Sequence, residues 1–248
     1  MLDRIRKRIA DFLLTSPLRY TRTFTLLERT LARMPIEKMS EVVFEFAAVQ
    51  KLEGDYLEFG VFQGASFVRA WHCARMFGLH AMRFYAFDSF GGLPPIQGGD
   101  MTPACIFSEG GFSCSREEFE KNIRNHRVDQ RRVEIIPGWF SETLTPETRT
   151  ELPIKKAAIA WIDCDLYEST VPALDFIVPY LQDGTILMFD DWFAFKGRPD
   201  LGQPRALAEW LARNPGIRTI EYRQADWASK AFIVHLCPAG DGTPAPQK

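Results

Sequence analysis

Short apolar runs alternate along this chain with segments in which apolar residues recur at helical spacing. The runs have the length of buried strands, and they predict strands at about residues 56–61, 83–88, 132–137, 156–163 and 185–190. The intervening segments predict helices at about residues 66–77, 115–125 and 168–181, and one more that ends near residue 213. Two closing runs, 217–223 and 230–236, are joined by a short turn and should pair antiparallel.

Strands that alternate with helices predict a doubly wound α/β sheet, mostly parallel, with helices on both faces. We expect residues 51–237 to form this domain. Residues 1–50 show helical spacing, with eight Lys or Arg among the first 33, and predict an N-terminal helical arm. The arm should pack on its own domain or on a second subunit, with attachment to a membrane surface or a polyanion as the alternative. The tail, 238–248, is rich in Gly and Pro and is predicted to be disordered.

Composition narrows the class of protein. The 248 residues include 30 Lys and Arg against 32 Asp and Glu, and the net charge of −2 gives no drive toward nucleic acid. The five cysteines form no C-x-x-C pair, which argues against a disulfide scaffold and against a zinc site. No apolar run approaches the ~20 residues of a membrane span. Arg8 and Asp11 interrupt the apolar start, unlike a signal peptide, so we expect a soluble, cytoplasmic protein.

The predicted strand ends carry the candidate chemistry. Ligands of doubly wound sheets bind beyond the C-terminal ends of the strands. Here each of the first five strands ends at a glycine or a carboxylate: Glu58 with Gly60, Asp88, Gly138, Asp163, and Asp190 with Asp191.

The first strand end is a glycine turn that leads into a helix. Gly60 and Gly64 let a ligand approach the backbone closely, and Ser66 is the expected N-cap of the helix. The G-x-x-x-G spacing differs from the G-x-G-x-x-G of dinucleotide sites and suits a nucleoside that carries an amino acid, with a structural turn as the alternative. Asp88 is placed to accept ribose hydroxyls, unless it is a surface or capping aspartate. Trp139 either stacks on an adenine or belongs to the core. Together these features favour an S-adenosylmethionine site.

The fourth and fifth strand ends bring acids together. Strand alternation places Asp163 and Asp165 on one face, and Asp190 and Asp191 end the neighbouring strand. Like charges this close call for a cation, and all-oxygen ligands with open positions favour Mg²⁺ over zinc. The alternative is that one or two of these acids cap helices.

Five stretches, LEFGVFQGAS, FDSFGGLP, PGWFSETL, WIDCDLYESTVPAL and GTILMFDDW, resemble the macrocin O-methyltransferase (TylF-like) family of S-adenosylmethionine- and Mg²⁺-dependent sugar O-methyltransferases. The resemblance extends from about residue 56 to 192, and more loosely to about 236. DCDLYEST followed by FDDW is its most specific part. It implies a Rossmann-like class I methyltransferase fold with a seven-stranded sheet whose last strand is antiparallel. It also implies a sugar hydroxyl of a glycosylated natural product or saccharide as the acceptor, and a homo-oligomer.

The resemblance also implies roles by position. The residues expected around the cofactor are Glu58, Gly60, Gly64, Ser66, Asp88, Ser89 and Trp139, with Asp88 on the ribose. The residues expected to bind Mg²⁺ are Asp163, Asp190 and Asp191.

Asp163 is the expected general base, because it would lie beside the acceptor hydroxyl. Catechol-type methyltransferases place a lysine three residues after the first metal aspartate, where this chain has Leu166. His126, His235 and Glu109 are the alternative bases.

The acceptor pocket is expected to be built from the loops at residues 91–111 and 196–204. Trp192, Phe193 and Phe195 either line this pocket or pack the second loop. Two other functions stay open: an NAD-type oxidoreductase on a similar sheet, against which the missing G-x-G-x-x-G counts, and a non-catalytic S-adenosylmethionine-binding or scaffolding protein. The identity of the acceptor does not follow from these residues.

Overall fold

The structure, a computed structural model, describes residues 35–224 and 226–237, with side chains from residue 39 onward. The predicted arm up to residue 34 and the predicted disordered tail lie outside these ranges. The strands are β1 Asp55–Phe59, β2 Phe84–Asp88, β3 Val133–Pro137, β4 Ala157–Ile162, β5 Ile186–Phe189, β6 Ile217–Arg223 and β7 Lys230–Leu236. The helices are α1 Pro35–Val49, α2 Ala65–Met76, α3 Arg116–Asn125, α4 Phe140–Thr143, α5 Pro146–Glu151, α6 Tyr167–Ile177 and α7 Gly202–Arg213.

The seven strands form one sheet in the order β3-β2-β1-β4-β5-β7-β6. The pairs from β3 to β5 are parallel, and β7 runs antiparallel to both β5 and β6. The predicted mostly parallel sheet with an antiparallel last strand is therefore confirmed. The strand order reverses between β1 and β4, and ligands of such sheets bind at the carboxyl ends beside the reversal. None of the helices in the described ranges has the length and apolar content needed to cross a bilayer.

Helices cover both faces of the sheet, because successive strand side chains point to opposite sides. On one face Tyr56 of β1 belongs to a buried cluster with α1, α2 and α3, in which Phe67 and Phe119 are fully buried. On the other face Leu57 packs in a second cluster with α6 and α7, which includes the fully buried Trp210. Helix α1 thus packs on the domain itself.

The start of α2 corrects one expectation. The helix begins at Ala65, and its N-cap is Gly64, which has a left-handed φ of 84°. The hydroxyl of Ser66 makes no capping hydrogen bond and donates instead to Glu58, at 2.5 Å. The predicted Ser66 cap is wrong because the left-handed glycine already turns the chain into the helix.

The long connection between β2 and α3 contains a buried anchor. Residues 91–111 are irregular apart from one short 3₁₀ turn, Gly98–Asp100. Asp100 is 2% exposed, and its carboxylate accepts hydrogen bonds from the N–H groups of Tyr167, at 2.7 Å, and Gly202, at 2.9 Å. These N–H groups open α6 and α7, where the helix dipole favours a negative charge. The loop is thereby attached to the two helices that follow β4 and β5.

Candidate active site

The turn after β1 brings the ends of β1 and β4 into backbone contact. Gly60 has a φ of 87°, and a Cβ at this position would lie 1.8 Å from the carbonyl oxygen of Asp163. The Gly60 N–H donates to the carbonyl of Phe87 at 2.8 Å, and the Asp163 N–H donates to that of Phe59 at 2.9 Å. Glycine alone fits this crossing. The backbone of Asp163 therefore lies beside the glycine turn.

Three further predicted site residues lie on either side of this turn in the chain: Glu58, Gly64 and Ser66. Glu58 is fully buried and accepts hydrogen bonds of 2.5 Å from the hydroxyls of Ser66 and Tyr56. Burial raises the pKa of Glu58 to about 8, although the two hydrogen bonds lower it. A Cβ on Gly64 would lie 2.8 Å from the ring of Phe119, so this glycine permits close packing of α2 on α3. Contact of these three residues with a cofactor stays a prediction.

A Glu58→Gln variant tests the protonation of this buried acid. With a folded pKa of about 8 against the ordinary 4.5, folded Glu58 holds a proton at pH values where the unfolded chain has lost it. The stability that protonation contributes is therefore present below about pH 4.5 and is lost as the pH rises to about 8. We expect the unfolding free energy of the wild type to fall relative to the variant by about 1 kcal/mol per pH unit in this window. Urea denaturation in chelator measures this difference, and a difference that does not change with pH contradicts it.

Asp88 is the last residue of β2, and its carboxylate accepts hydrogen bonds from the same turn. Its Oδ2 accepts from the N–H groups of Val61, at 2.7 Å, and Phe62, at 3.1 Å. Its Oδ1 accepts from the N–H of Phe90 at 2.7 Å. A carboxylate has about four acceptor positions, so one remains for a ligand hydroxyl. Asp88 and the adjacent Ser89 both line one cavity.

This cavity opens at the carboxyl ends of the central strands and has a volume of about 570 Å³, the size of a small-molecule site. Trp139, which follows β3, forms part of its wall and is 39% exposed, so it is not a buried core residue. Its ring lies 3.4 Å from where a Cβ on Gly91 would be. Phe62 and Phe112 also line the cavity, with their rings edge to face at 5.8 Å.

Asp163, Asp190 and Asp191 converge in the same cavity. Each offers one carboxylate oxygen, and these atoms all lie within 4.8 Å of one another. Asp190 Oδ1 and Asp191 Oδ2 are both buried, and neither has a hydrogen-bond partner among the described residues. The structure thus brings together the three acids that the sequence places at the ends of β4 and β5.

Burial and mutual repulsion raise the pKa of each acid in this cluster. Burial is the largest cause for all of them, and it raises the pKa of Asp190 to about 7. For Asp163 and Asp191 the charges of the neighbouring aspartates add to burial, and the pKa lies well above the usual range. Without a cation, these carboxyl groups retain protons near neutral pH instead of ionising together.

Asp165 is a fourth acid at this site. β4 ends at Ile162, and Asp165 has a left-handed φ of 62°, so the strand alternation expected to align it with Asp163 stops short of it. The turn nevertheless brings its carboxyl group close to that of Asp191, and burial raises its pKa to about 6, although the interaction with Asp191 lowers it. Glu168, expected only to start a helix, also lines the cavity. The expectation of a shared strand face is corrected, because the turn sets the direction of Asp165.

The donor set fits a hard divalent cation. Three carboxylate oxygens lie close enough to share one ion, and two buried oxygens nearby have no other partner in the described chain. Mg²⁺ takes oxygen ligands and retains open positions for substrate, whereas zinc favours nitrogen and sulfur. The cluster therefore fits Mg²⁺ better than zinc.

The alternative bases lie away from this cluster. Leu166 is 1% exposed and packs beneath the loop, so the lysine position of the catechol-type enzymes is apolar here. The Nδ1 of His126 bonds the carbonyl of Asn122, on a groove beside α2. His235 lies on β7, paired in register with β6, and Glu109 is exposed. Asp163 is the candidate base that the cavity contains.

The aromatic residues after β5 pack against β7 and the loop of residues 91–111. The ring of Trp192 is tilted by 51° against that of Phe232, with centroids 4.7 Å apart. Phe195 is 2% exposed and contacts Phe107 at 5.8 Å. The Lys230 ammonium lies over the ring of Phe193, 5.8 Å from the ring centroid. These positions correspond to the packing alternative and not to an acceptor pocket.

The chain is similar to proteins of known class. The sequence model described as macrocin O-methyltransferase (TylF) matches residues 28–202. Demethyldecarbamoylnovobiocin O-methyltransferase of Streptomyces niveus is 30% identical over 143 residues, which cover 56% of this chain and 53% of that protein. The 8-demethyl-8-(2,3-dimethoxy-alpha-L-rhamnosyl)-tetracenomycin-C 4'-O-methyltransferase of Streptomyces olivaceus has the same identity and coverage. The chain spans about half the length of these curated relatives.

A solved structure shares the fold. The O-methyltransferase NovP superposes with a TM-score of 0.66 at 23% identity, covering 81% of this chain and 79% of NovP. The similarity shows a shared fold over most of both chains.

Proposed function

The chain belongs to the macrocin O-methyltransferase (TylF) family, and we propose that it transfers a methyl group from S-adenosylmethionine to a sugar hydroxyl in an Mg²⁺-dependent reaction. The acceptor we propose is a glycosylated natural product or a saccharide. The observation that carries the proposal is one cavity that joins the glycine turn of β1 to three aspartates with unpaired oxygens nearby. The names of the two Streptomyces relatives, both O-methyltransferases and one acting on a rhamnosyl tetracenomycin, support it.

The part of the cavity above β1 and β2 suits the cofactor. Gly60 lets a ligand approach the backbone closely, and Asp88 retains an acceptor position for a ribose hydroxyl. Trp139 presents an exposed ring on which an adenine would stack. Asp163, Asp190 and Asp191 would hold Mg²⁺ in the same cavity.

The chain's own groups then serve the transfer. When bound, S-adenosylmethionine supplies an electrophilic methyl group, and Mg²⁺ lowers the pKa of an adjacent hydroxyl and fixes its direction. The carboxylate of Asp163 would accept the proton of that hydroxyl. Glu168 and Ser169, at the start of α6, also line the cavity and would orient the sugar. Phe62 and Phe112 line the cavity with apolar rings, which would limit the access of water to a bound substrate.

Mass spectrometry of the reaction tests the function. The wild type is incubated with S-adenosylmethionine and a panel of neutral glycosides, first with Mg²⁺ and then with chelator. We expect a product heavier by one methylene on the sugar, which disappears in chelator and returns when Mg²⁺ is restored. Transfer that is indifferent to chelator, or transfer to an atom outside the sugar, contradicts the proposal.

A Trp139→Ala variant tests the adenine contact. Loss of base–aromatic stacking costs about 1–3 kcal/mol, so we expect S-adenosylhomocysteine to bind about tenfold more weakly. Isothermal titration measures this affinity. Trp227→Ala is the matched control, because Trp227 is 68% exposed and does not belong to the cavity wall. Equal affinities of the two variants would place the adenine elsewhere.

Two alternative functions remain to be separated from this proposal, and the predicted homo-oligomer remains to be tested. An NAD-type oxidoreductase is not favoured, since the family and the G-x-x-x-G turn both point away from a dinucleotide. A non-catalytic binder of S-adenosylmethionine would bind the cofactor without product formation in the assay above. The homo-oligomer implied by the resemblance stays a prediction, which light scattering of the full chain would test.

A further inference from the structure

Gln203, the second residue of α7, bridges the ends of β4 and β5 just below the acid cluster. Its Oε1 accepts a hydrogen bond from the N–H of Asp191 at 2.9 Å, and its Nε2 donates to the carbonyl of Ile162 at 3.0 Å. The side chain is fully buried. One amide group therefore contacts the backbone of one acid and of the residue that precedes another, Asp163.

This bridge continues the sheet where its backbone ladder ends. The last bond between the two strands runs from the Asp190 N–H to the Ile162 carbonyl, at 3.2 Å. Beyond it the chain leaves β4 toward α6 and leaves β5 toward α7, so the next N–H, that of Asp191, is met by Gln203 instead of by a strand. A buried backbone N–H needs such a partner. The amide thereby links the ends of the two strands beside their last backbone bond, where the two acids leave the sheet.

Gln203 is itself held in place from outside the sheet. Gly202 has a φ of 51°, and a Cβ there would lie 2.7 Å from the ring of Phe195. The Gly202 N–H donates to Asp100, the buried anchor of the long loop, at 2.9 Å. The start of α7 is therefore fixed against two neighbours, and the next side chain is aimed between the strands.

We propose that Gln203 is a positioning residue for the Mg²⁺ site, an inference that rests on the proposed function. By holding the Asp191 N–H and the Ile162 carbonyl, Gln203 sets the spacing at which the three carboxylates share one ion. It acts through the backbone and does not belong to the acid cluster. Groups that orient metal ligands without touching the metal commonly affect metal affinity strongly.

Thr185 provides a matched control at the opposite end of the same two strands. It is fully buried, and its hydroxyl donates to the carbonyl of Ala157, at the start of β4, at 2.7 Å. Thr185 therefore also joins β5 to β4 through a side chain, but it does so far from the acids, at the amino ends of the strands.

The test compares Gln203→Met with Thr185→Val by isothermal titration of Mg²⁺ into the full chain and by thermal unfolding. We expect both variants to melt at a lower temperature, because each loses a buried hydrogen bond. Only Gln203→Met should bind Mg²⁺ more weakly, by about ten- to a hundredfold. If the Met variant does not fold, Gln203→Asn replaces it in this comparison. Asparagine keeps a polar amide, but it is one methylene too short to reach both the Asp191 N–H and the Ile162 carbonyl.

The outcomes separate this role from the proposed function. Folded Gln203 variants that bind Mg²⁺ as tightly as the wild type overturn the positioning role alone. The same holds if Thr185→Val weakens Mg²⁺ binding as much as Gln203→Met does. A wild type that binds no Mg²⁺ overturns the metal-dependent function, and the positioning role with it.

Discussion

An Asp190→Asn variant should lose at least about a thousandfold in methyl transfer, because a bound metal ion contributes several kcal/mol to such reactions. The same change should not weaken the metal-free fold. At pH 8 Asp190 lies above its raised pKa of about 7, so its ionisation beside the other acids costs stability. We expect the variant in chelator to be more stable than the wild type by about 1 kcal/mol, after allowance for partial solvent screening. The glycoside assay by mass spectrometry measures the loss of methyl transfer. Thermal unfolding with and without Mg²⁺ measures the change in stability, since added Mg²⁺ should stabilise the wild type alone.

Asp226→Asn is the control for charge. Asp226 raises the pKa of Asp190 through its negative charge, but its own carboxylate accepts hydrogen bonds from the N–H groups of Ala228 and Ser229. Asparagine retains an acceptor oxygen for these groups, so this variant removes a nearby charge without removing a proposed ligand. We expect its Mg²⁺ affinity to change by no more than about threefold. If the two variants lose Mg²⁺ binding equally, the cluster attracts cations by general charge and is not a specific site.

Gly60→Ala should destabilise the fold by about 4 kcal/mol or more, a large fraction of the stability of a typical domain. The new Cβ would lie 1.8 Å from the Asp163 carbonyl oxygen, and both partners are backbone, so neither can move aside cheaply. The left-handed φ of 87° adds strain of about 1–2 kcal/mol for any residue with a side chain. Any protein that folds must displace Asp163, so Mg²⁺ binding should weaken as well. Urea denaturation and Mg²⁺ titration measure the two losses.

Gly78→Ala isolates the backbone strain from the clash. Gly78 has a similar φ of 80°, but a Cβ there would meet nothing within 4 Å. Its expected cost is therefore the strain alone, about 1–2 kcal/mol, with Mg²⁺ binding unchanged. If the two alanine variants differ in stability by less than about 1 kcal/mol, the crossing of β1 and β4 is looser than the structure indicates.

Much of the fold and the acid cluster follows from local pattern. The buried strands are continuous apolar runs, and Ile186–Phe189 leads straight into Asp190 and Asp191. Since β4 and β5 are parallel neighbours, their carboxyl ends meet at one edge, and the convergence with Asp163 follows. The turn glycines can also be predicted from the sequence, because the change from strand to helix here needs a residue that adopts a left-handed φ.

Other features depend on tertiary contacts that no local pattern records. Gln203 lies in a segment expected to be a loop, and its importance comes from a bridge to Ile162, which is 41 residues away in the chain. Asp100 resembles an ordinary loop acid but is buried against the starts of α6 and α7. The short helices α4 and α5 carry too few residues to show an apolar period. Ser66 follows a capping preference locally, yet its hydroxyl binds a buried Glu58 instead.

Isothermal titration of S-adenosylmethionine and S-adenosylhomocysteine into the wild type, with Mg²⁺ and then with chelator, tests whether the cavity is a methyltransferase site. We predict micromolar binding of both ligands, and a separate Mg²⁺ isotherm that Asp190→Asn removes. Absence of binding of either ligand under both conditions would contradict the claim that the cavity between Gly60 and the three aspartates is a methyltransferase site.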